Sequence, residues 1–361
     1  MNTRTHLINM TKAKFLIFER DKEDKQKARR RSHSYVEHFL QNPTQSQPKR
    51  KNCSRNIYEM GSRYLIRVAL LFILIVPAVP LSSCTCHEPV IERITGFSDE
   101  ANAKLADFLT RTATYPGRKV AVFDGDGTTV GQVPHYLADE CLYEFASVHP
   151  DRRPELIAEM KTQSNVSLPY VQNRIKFLAG ETLEAIRAMG KDCYARMYAD
   201  KIYPPMKQLI ELLKKNNFEV WIVSASPEAL YQGFLSEGFD IPITRIIGVK
   251  SIVRDGVVTD EIIAPVPQDN GKMEAIESFI QEKPLLVGGN SRGDKEMIEF
   301  SRDLKLIINP DEHVEPDQTM SVADYAKSQG WLVVRLRDVA EPVNLALSSK
   351  VYGIRLNKEH K

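Results

Sequence analysis

Residues 119–128 read KVAVFDGDGT. An apolar, β-branched run ends on two aspartates, Asp124 and Asp126, each followed by a glycine, with Thr128 behind them. Unpaired carboxylates are costly to take out of water. Two of them delivered together by a buried strand therefore point to a cation that holds them. Side chains two apart leave a strand on the same side. The pair can meet one ligand at the carboxyl end of that strand, where open α/β sheets bind ligands.

On either side of this strand the chain alternates between helical and extended patterns. Asp99–Thr112 has helical spacing, and residues 85–118 read as a linker with this helix. Residues 135–200 read as a helical insert: Leu137, Cys141, Leu142 and Phe145 share one face, and Leu183, Ile186 and Met189 another. A second strand, FEVWIV (218–223), ends at Ser224, with a helix from Pro227. Residues 245–261 read as a hairpin turning at Asp255-Gly256. A helix starts near Lys272, and PLLV (284–287) runs into Gly288-Gly289-Asn290. LKLII (304–308) and WLVVRL (331–336) are further strands. Strands alternating with helices give an α/β protein with a doubly wound, mostly parallel sheet. Its core would span residues 119–134 and 201–345, with the helical cap inserted after the first strand.

The polar residues at these strand ends combine into one chemistry. A carboxylate such as Asp124 can attack phosphorus and form an aspartyl-phosphate, but needs a cation to offset the repulsion. Oxygens from Asp124 and Asn290, with the backbone carbonyl of Asp126, suit Mg²⁺. Ser224 and Lys272 supply a hydroxyl and a positive charge for the phosphoryl oxygens, and such electrostatic positioning dominates phosphoryl transfer. Asp126 can protonate the leaving oxygen and then deprotonate the attacking water.

Taken in order, these residues resemble the four motifs of haloacid dehalogenase superfamily phosphatases. Asp124, Asp126 and Thr128 match the first, WIVS with Ser224 the second, Lys272 the third, and Asn290 with Asp294 the fourth. The resemblance covers about residues 100–340 and implies a Rossmann-like core. It makes Asp124 the nucleophile and Asp126 the acid/base, and puts Ser224, Lys272 and Thr128 on the phosphate. It places Mg²⁺ at Asp124, Asp126, Asn290 and Asp294, the last acting directly or through a water. An acid at position 126 favours phosphate esters over haloacids. Asn290 stands where many members have Asp, so the metal is held with less charge. Thr129 replaces a more usual apolar residue, with a packing consequence expected.

The segments VSASP (223–227) and GKMEAI, and the helical insert, resemble the phosphoserine phosphatase branch, and within it phosphorylcholine-phosphatase-like proteins. The implied substrate is a small phosphorylated metabolite: phosphorylcholine- or phosphoethanolamine-like, or phosphoserine. The carboxylate that phosphoserine phosphatases place soon after the first motif has no clear counterpart; Glu140 is the nearest acid. A phosphotransferase using the same intermediate and a non-catalytic, membrane-tethered phospho-ligand binder are the alternatives.

Several residues invite a sharper reading beside a plainer one. Tyr136, Tyr143, Phe145, Tyr170, Phe177, Tyr194 and Tyr198 could form an aromatic cage for a quaternary ammonium, although aromatics at helical spacing are more often core. Arg174 and Arg187 could bind a substrate carboxylate or lie on solvated helix faces. His135 could face the substrate but reads more simply as a loop histidine, Ser226 and Pro227 read as the start of a helix, and Asn309 could support the site from the next strand end.

At the front, LIRVALLFILIVPAV (65–79) follows Arg63 and precedes LSSC, ending at Cys84. A basic flank, a short apolar stretch and small residues describe a secretory signal, and LSSC resembles a bacterial lipobox. Residues 60–84 are thus expected to be a signal peptide, leaving a protein anchored through lipid on Cys84 and facing the periplasm. A single-pass membrane helix is the alternative, weakened because only Val68–Val79 lacks charge. Residues 1–59 carry 14 Lys+Arg against 6 Asp+Glu and read as a disordered basic extension or a misplaced start, with Met60 the natural beginning. The rest carries 35 against 41, so no basic surface invites nucleic acid. Cys141 and Cys193 could pair only if the fold brings them together. The sequence leaves the oligomeric state open.

Overall fold

The computed structural model describes residues 88–315 and 318–338. The expected signal segment 60–84, with Cys84, and the basic stretch 1–59 lie outside the described residues, as do residues 339–345 of the expected core. No helix among the described residues is long and apolar enough to cross a membrane.

Strand β1 (Val120–Phe123) is buried at all four positions. Its side chains alternate between two cores: Ala121 and Phe123 join one, Val120 and Val122 the other. A strand covered on both faces belongs at the centre of a parallel sheet. It pairs in parallel with β2 (Glu219–Pro227) on one side and β6 (Leu286–Gly289) on the other. With β3 (Ile246–Val249), β7 (Leu304–Ile308) and β8 (Leu332–Val334), the order is β3-β2-β1-β6-β7-β8, every pairing parallel. The doubly wound sheet expected from the alternation is the one the chain forms. Strand order reverses between β1 and β6, so the carboxyl end of β1 opens at the switch point where such sheets bind ligands.

Helices cover both faces. Asp99–Thr112 (α1) is capped by the Ser98 side chain, which accepts from the Ala101 amide, and buries Leu105, Phe108 and Leu109. Between β1 and β2 lie Leu137–Val148 (α2), Pro154–Met160 (α3), Leu168–Phe177 (α4) and Leu183–Cys193 (α5), then a π-type turn at Tyr194–Tyr198. Pro204–Lys215 (α6) and Glu228–Phe239 (α7) join α1 on the first core. Asn270–Ala275 (α8), Lys295–Glu299 (α9) and Val322–Ser328 (α10) supply Ala275, Met297, Ile298 and Ala326 to the second.

The helical insert docks through α5 on α7, at paired glycines. A Cβ at Gly190 would stand 1.9 Å from the Leu230 carbonyl oxygen, and one at Gly233 would stand 2.1 Å from that of Arg187. Only hydrogen at these positions lets the two backbones approach so closely.

Two expectations need correction. The stretch 245–261 is not one hairpin. Ile246–Val249 is the fully buried edge strand β3, and only Ser251–Arg254 (β4) and Val257–Ile262 (β5) form a separate antiparallel pair, turning at Asp255-Gly256 with φ of 51° and 82°. A short, uniformly apolar run lacks the alternation that marks a half-exposed strand, so it merged with its neighbour. Strand β2 also continues beyond Ser224 to Pro227, with a register shift between Val223 and Pro227.

Candidate active site

Beyond β1 the chain wraps around one carbonyl. The amides of Thr128, Thr129 and Val130 all point at Gly125 O, at 3.3, 2.9 and 3.1 Å, while Asp124 N extends the ladder to Gly288 O at 2.9 Å. Gly127, at φ 81°, takes a conformation that L side chains avoid. A Cβ there would meet the Asn290 side-chain amide at 2.1 Å and the Gln132 carboxamide carbon at 2.7 Å. Asn290 therefore lies directly against the turn that carries both aspartates. Thr129 does more than pack: its hydroxyl donates to the carbonyls of Asp124 and Gly125 at 3.2 and 3.0 Å.

Lys272, from α8, is the charge centre. Its ammonium lies 2.6 Å from Asp124 Oδ1 and 2.6 Å from Asp294 Oδ1, all three groups buried. Burial pushes the Asp124 carboxyl up to about 7, against the pull of Lys272. Burial also opposes the charge on Lys272, yet the two carboxylates hold its pKa above the usual lysine range. At Asp294 burial is again the largest single influence, but Lys272 and the amides of Asn290 and Ser291 together hold the carboxyl below its usual value.

The predicted site residues occupy three positions. Asp124, Asp126, Ser224, Lys272 and Asn290 line one cavity of about 70 Å³. Thr128 stands behind Asp124 and donates to its Oδ2 at 3.2 Å. Asp294 also stands behind the cavity wall: Oδ1 faces Lys272, and Oδ2 accepts from the Asn290 and Ser291 amides, both at 3.0 Å, and from the Ser291 hydroxyl. As placed, it fixes the lysine and the loop carrying Asn290.

Asp126 points to the other side of the cavity. Its carboxylate accepts from the Tyr231 hydroxyl at 2.6 and 2.7 Å and from the Ser226 hydroxyl at 2.9 Å. Burial raises its pKa, the two hydroxyls working against that rise. Sequence reasoning missed Tyr231 and treated Ser226 only as the start of a helix. Neither carries a local signal, because each meets Asp126 only after β1 and β2 pair.

On the helical side the cavity is lined by Tyr136, Asn165, Val166, Val171 and Arg174. A wider cavity of about 320 Å³ shares Gln132, Tyr136, Val166 and Asn290 with it. Arg174 is 2% exposed, which removes the solvated-face reading, and its guanidinium lies 2.7 Å from Asp139 and over the rings of Tyr136 and Tyr170. Arg187 donates to Gln232 on α7 at 2.9 Å. The plainer core reading of the aromatics stands and the cage does not assemble: of the seven rings only Tyr136 lines the cavity. Tyr170 and Tyr143 bond one another beside Asp139, Phe145 packs on Phe177, and Tyr194 stacks on Phe234. His135 pairs with buried Glu140 at 2.6 Å, outside the lining of the small cavity. Asn309 bonds the backbone of Leu336 in both directions, at 2.8 and 2.7 Å.

Residues 121–299 match the family model of haloacid dehalogenase-like hydrolases. This stretch is a haloacid dehalogenase-like hydrolase domain. Among its relatives are a hydrolase of Mycobacterium leprae, 23% identical over 180 residues (48% of this chain, 56% of that protein), and phosphoserine phosphatase SerB1 of Mycobacterium tuberculosis, 22% identical over 194 residues (52% and 59%). The chain thus spans under two thirds of these curated relatives. The fold is shared with a crystal structure of a conserved protein of unknown function from Anaerococcus prevotii, at TM-score 0.52 and 15% identity, covering 68% of this chain and 94% of that one.

Members of such a family imply a divalent cation, and the hydrolase domain has a donor set that fits one. Among the described residues no three His, Cys, Asp or Glu side chains gather as a metal cluster. A cation would draw on mixed oxygens: the Asp124 carboxylate, the Asp126 carbonyl and the amide oxygen of Asn290, whose nitrogen is the atom nearest the Gly127 turn. These are hard ligands suited to Mg²⁺. The carboxyl groups of Asp124, Asp126 and Asp294 outnumber the single ammonium of Lys272, so a cation would offset their charge as they ionise.

Proposed function

We propose that this chain is a Mg²⁺-dependent phosphomonoesterase acting through an aspartyl-phosphate at Asp124. The observation that carries this reading is the juxtaposition of buried Asp124 with Lys272 at 2.6 Å, and of Asp126 held by two hydroxyls across the same cavity. Mg²⁺, held by Asp124, Asn290 and the Asp126 carbonyl, would supply charge neutralisation for the phosphoryl group.

The remaining steps belong to the protein. Thr128 and Lys272 fix the two oxygens of Asp124, so that one lone pair is aimed into the cavity. That carboxylate forms a bond to phosphorus as the ester P–O bond breaks. Protonated Asp126 gives its proton to the departing oxygen. Ser224 and Lys272 stand where the phosphoryl oxygens gather charge. The ionised Asp126 then takes a proton from a water that attacks phosphorus. The Asp124–phosphorus bond breaks, inorganic phosphate leaves, and both aspartates return to their starting forms.

The leaving group would extend into the wider cavity past Gln132 and Tyr136. Phosphoserine is the substrate named for the M. tuberculosis relative, and phosphorylcholine- and phosphoethanolamine-like esters share its cationic nitrogen. The small cavity presents no carboxylate other than Asp124 and Asp126, and Arg174 is already matched by Asp139. The wider cavity, by contrast, is lined by Asp269, Asp311 and Glu315, so a cationic leaving group that reaches it meets carboxylates. We therefore keep these three cationic leaving groups as the substrate class, their charge facing the wider cavity.

Turnover of p-nitrophenyl phosphate with Mg²⁺, lost by at least about 1,000-fold in Asp124→Asn, tests the reading. Residual turnover in that variant within tenfold of wild type would refute it. We also propose that residues 60–84 export the protein and that Cys84 is lipidated. Incorporation of labelled palmitate in a bacterial host, absent in Cys84→Ala, checks this.

A further inference from the structure

The chain leaves the core for the helical insert through residues 129–133 and returns through 201–203. The two crossings bond directly: Gly131 N donates to Lys201 O at 2.7 Å, and Tyr203 N to Thr129 O at 3.2 Å. A residue from the far end of the chain closes on both. Asp338 Oδ2 accepts from the amides of Gln132 and Val133, at 2.9 and 3.2 Å. Its Oδ1 lies 3.1 Å from the Lys201 ammonium, which also donates to Val133 O at 2.7 Å. The two side chains are only 12% and 8% exposed. Tyr203 lies beside Asp338 and Asn309, and Asn309 bonds the Leu336 backbone, which anchors the segment bearing Asp338. The fit is close, since a Cβ at Gly131 would stand 2.3 Å from Asp338 Oδ1.

This cluster is set one residue from the reaction. Gln132, whose amide Asp338 holds, lines the cavity and rests its side chain against Gly127. A carboxylate that fixes two successive amides, and a buried ammonium that fixes the carbonyl following them, leave that backbone little freedom.

We infer that Asp338 and Lys201 are positioning residues for the reaction, locking the outgoing crossing so that the Gln132 carboxamide is held over the Asp124 turn to contact the bound ester. The inference rests on the proposed phosphomonoesterase reading. Neither residue touches the cavity, so each acts through Gln132. The ester reaches the same P–O cleavage in their absence, but is held less well.

A double-mutant cycle on the full chain with p-nitrophenyl phosphate and Mg²⁺ tests it. Gln132→Ala and Asp338→Ala are each expected to raise KM roughly tenfold with a smaller change in kcat. The double variant is expected to be no worse than either single one. Additive losses, or an Asp338→Ala enzyme with wild-type KM and a kcat reduced only by its folded fraction, would overturn the inference. If Asp338→Ala does not fold, Lys201→Gln takes its place in the same cycle with the same two outcomes. Wild-type turnover is read first: its absence rejects the enzymatic reading, whereas a normal wild type with an additive cycle rejects only the positioning roles.

Discussion

The hydroxyl of Tyr231 donates to both carboxylate oxygens of Asp126, at 2.6 and 2.7 Å. Burial and the Asp126 charge together push the tyrosine pKa well above its usual value, so it remains a donor throughout the working range. The tyrosine thus favours the ionised form of a carboxylate that burial would otherwise keep protonated. A hydrogen bond to a charged group contributes about 1.5–3 kcal/mol. Tyr231→Phe should lower kcat roughly tenfold and move the pH–rate profile of kcat to higher pH, because the Asp126 carboxyl then ionises later. Steady-state rates from about pH 5 to 9 check this; a profile shifted to lower pH would contradict it.

Asp126 also carries a stability cost with a definite sign. Its folded-state pKa is raised, chiefly by burial, so the folded protein binds this proton more tightly than the unfolded chain does. The linked stability is complete below the unfolded value of about 3.9 and is lost as pH rises through the folded value. An amide has no such proton. In metal-free buffer Asp126→Asn should melt above wild type near neutral pH, with the gap closing toward about pH 4, while hydrolysis falls at least about 100-fold. Thermal unfolding across that range, with wild type the more stable at neutral pH, would argue against a buried ionising carboxyl.

Removal of divalent ions should abolish hydrolysis, and Mg²⁺ should restore it. Asn290 brings an oxygen but no charge to the donor set, so Asn290→Asp should lower the Mg²⁺ concentration for half-maximal activity, while Asn290→Ala should raise it, by about tenfold or more in each direction. Activity titrated with Mg²⁺ after dialysis against chelator reads both. An Asn290→Ala enzyme with unchanged Mg²⁺ dependence would remove this residue from the metal.

The helical insert is held by contact as well as by its crossings. A methyl group at Gly190 meets the Leu230 backbone carbonyl at 1.9 Å, and backbone cannot swing aside as a side chain can. Gly190→Ala should destabilise the protein by about 1–3 kcal/mol through overpacking, seen as a melting point lower by about 2–4 °C per kcal/mol. A Gly180→Ala control separates sterics from backbone strain. Gly180 has open space around its Cβ position but a φ of 97°, so its loss comes from conformation alone.

The residues legible in the sequence were polar ones of a particular chemistry beside apolar runs or at a helix start. Asp124 and Asn290 follow apolar strands, Ser224 follows the apolar run WIV within β2 and Lys272 lies in the first turn of α8, and the fold brings the four to one cavity. The supporting residues had no such mark. Tyr231 and Ser226 reach Asp126 across 105 and 100 residues, and Asp338 reaches Gln132 across 206, each from a segment whose own pattern is ordinary. Arg174 stayed open between two readings because a helical arginine usually faces water, whereas here Asp139 and two tyrosine rings make its burial tolerable. The edge strand β3 was hidden by burial on both faces, which erases the alternation that reveals a strand.

The central claim is that phosphorus becomes bonded to Asp124. The most direct measurement is rapid acid quench of the enzyme turning over a ³²P-labelled phosphomonoester, followed by peptide mapping. The expected result is acid-stable, hydroxylamine-sensitive label on the peptide containing Asp124, absent from Asp124→Asn. Steady turnover with no protein-bound label, or with label on another residue, would contradict it.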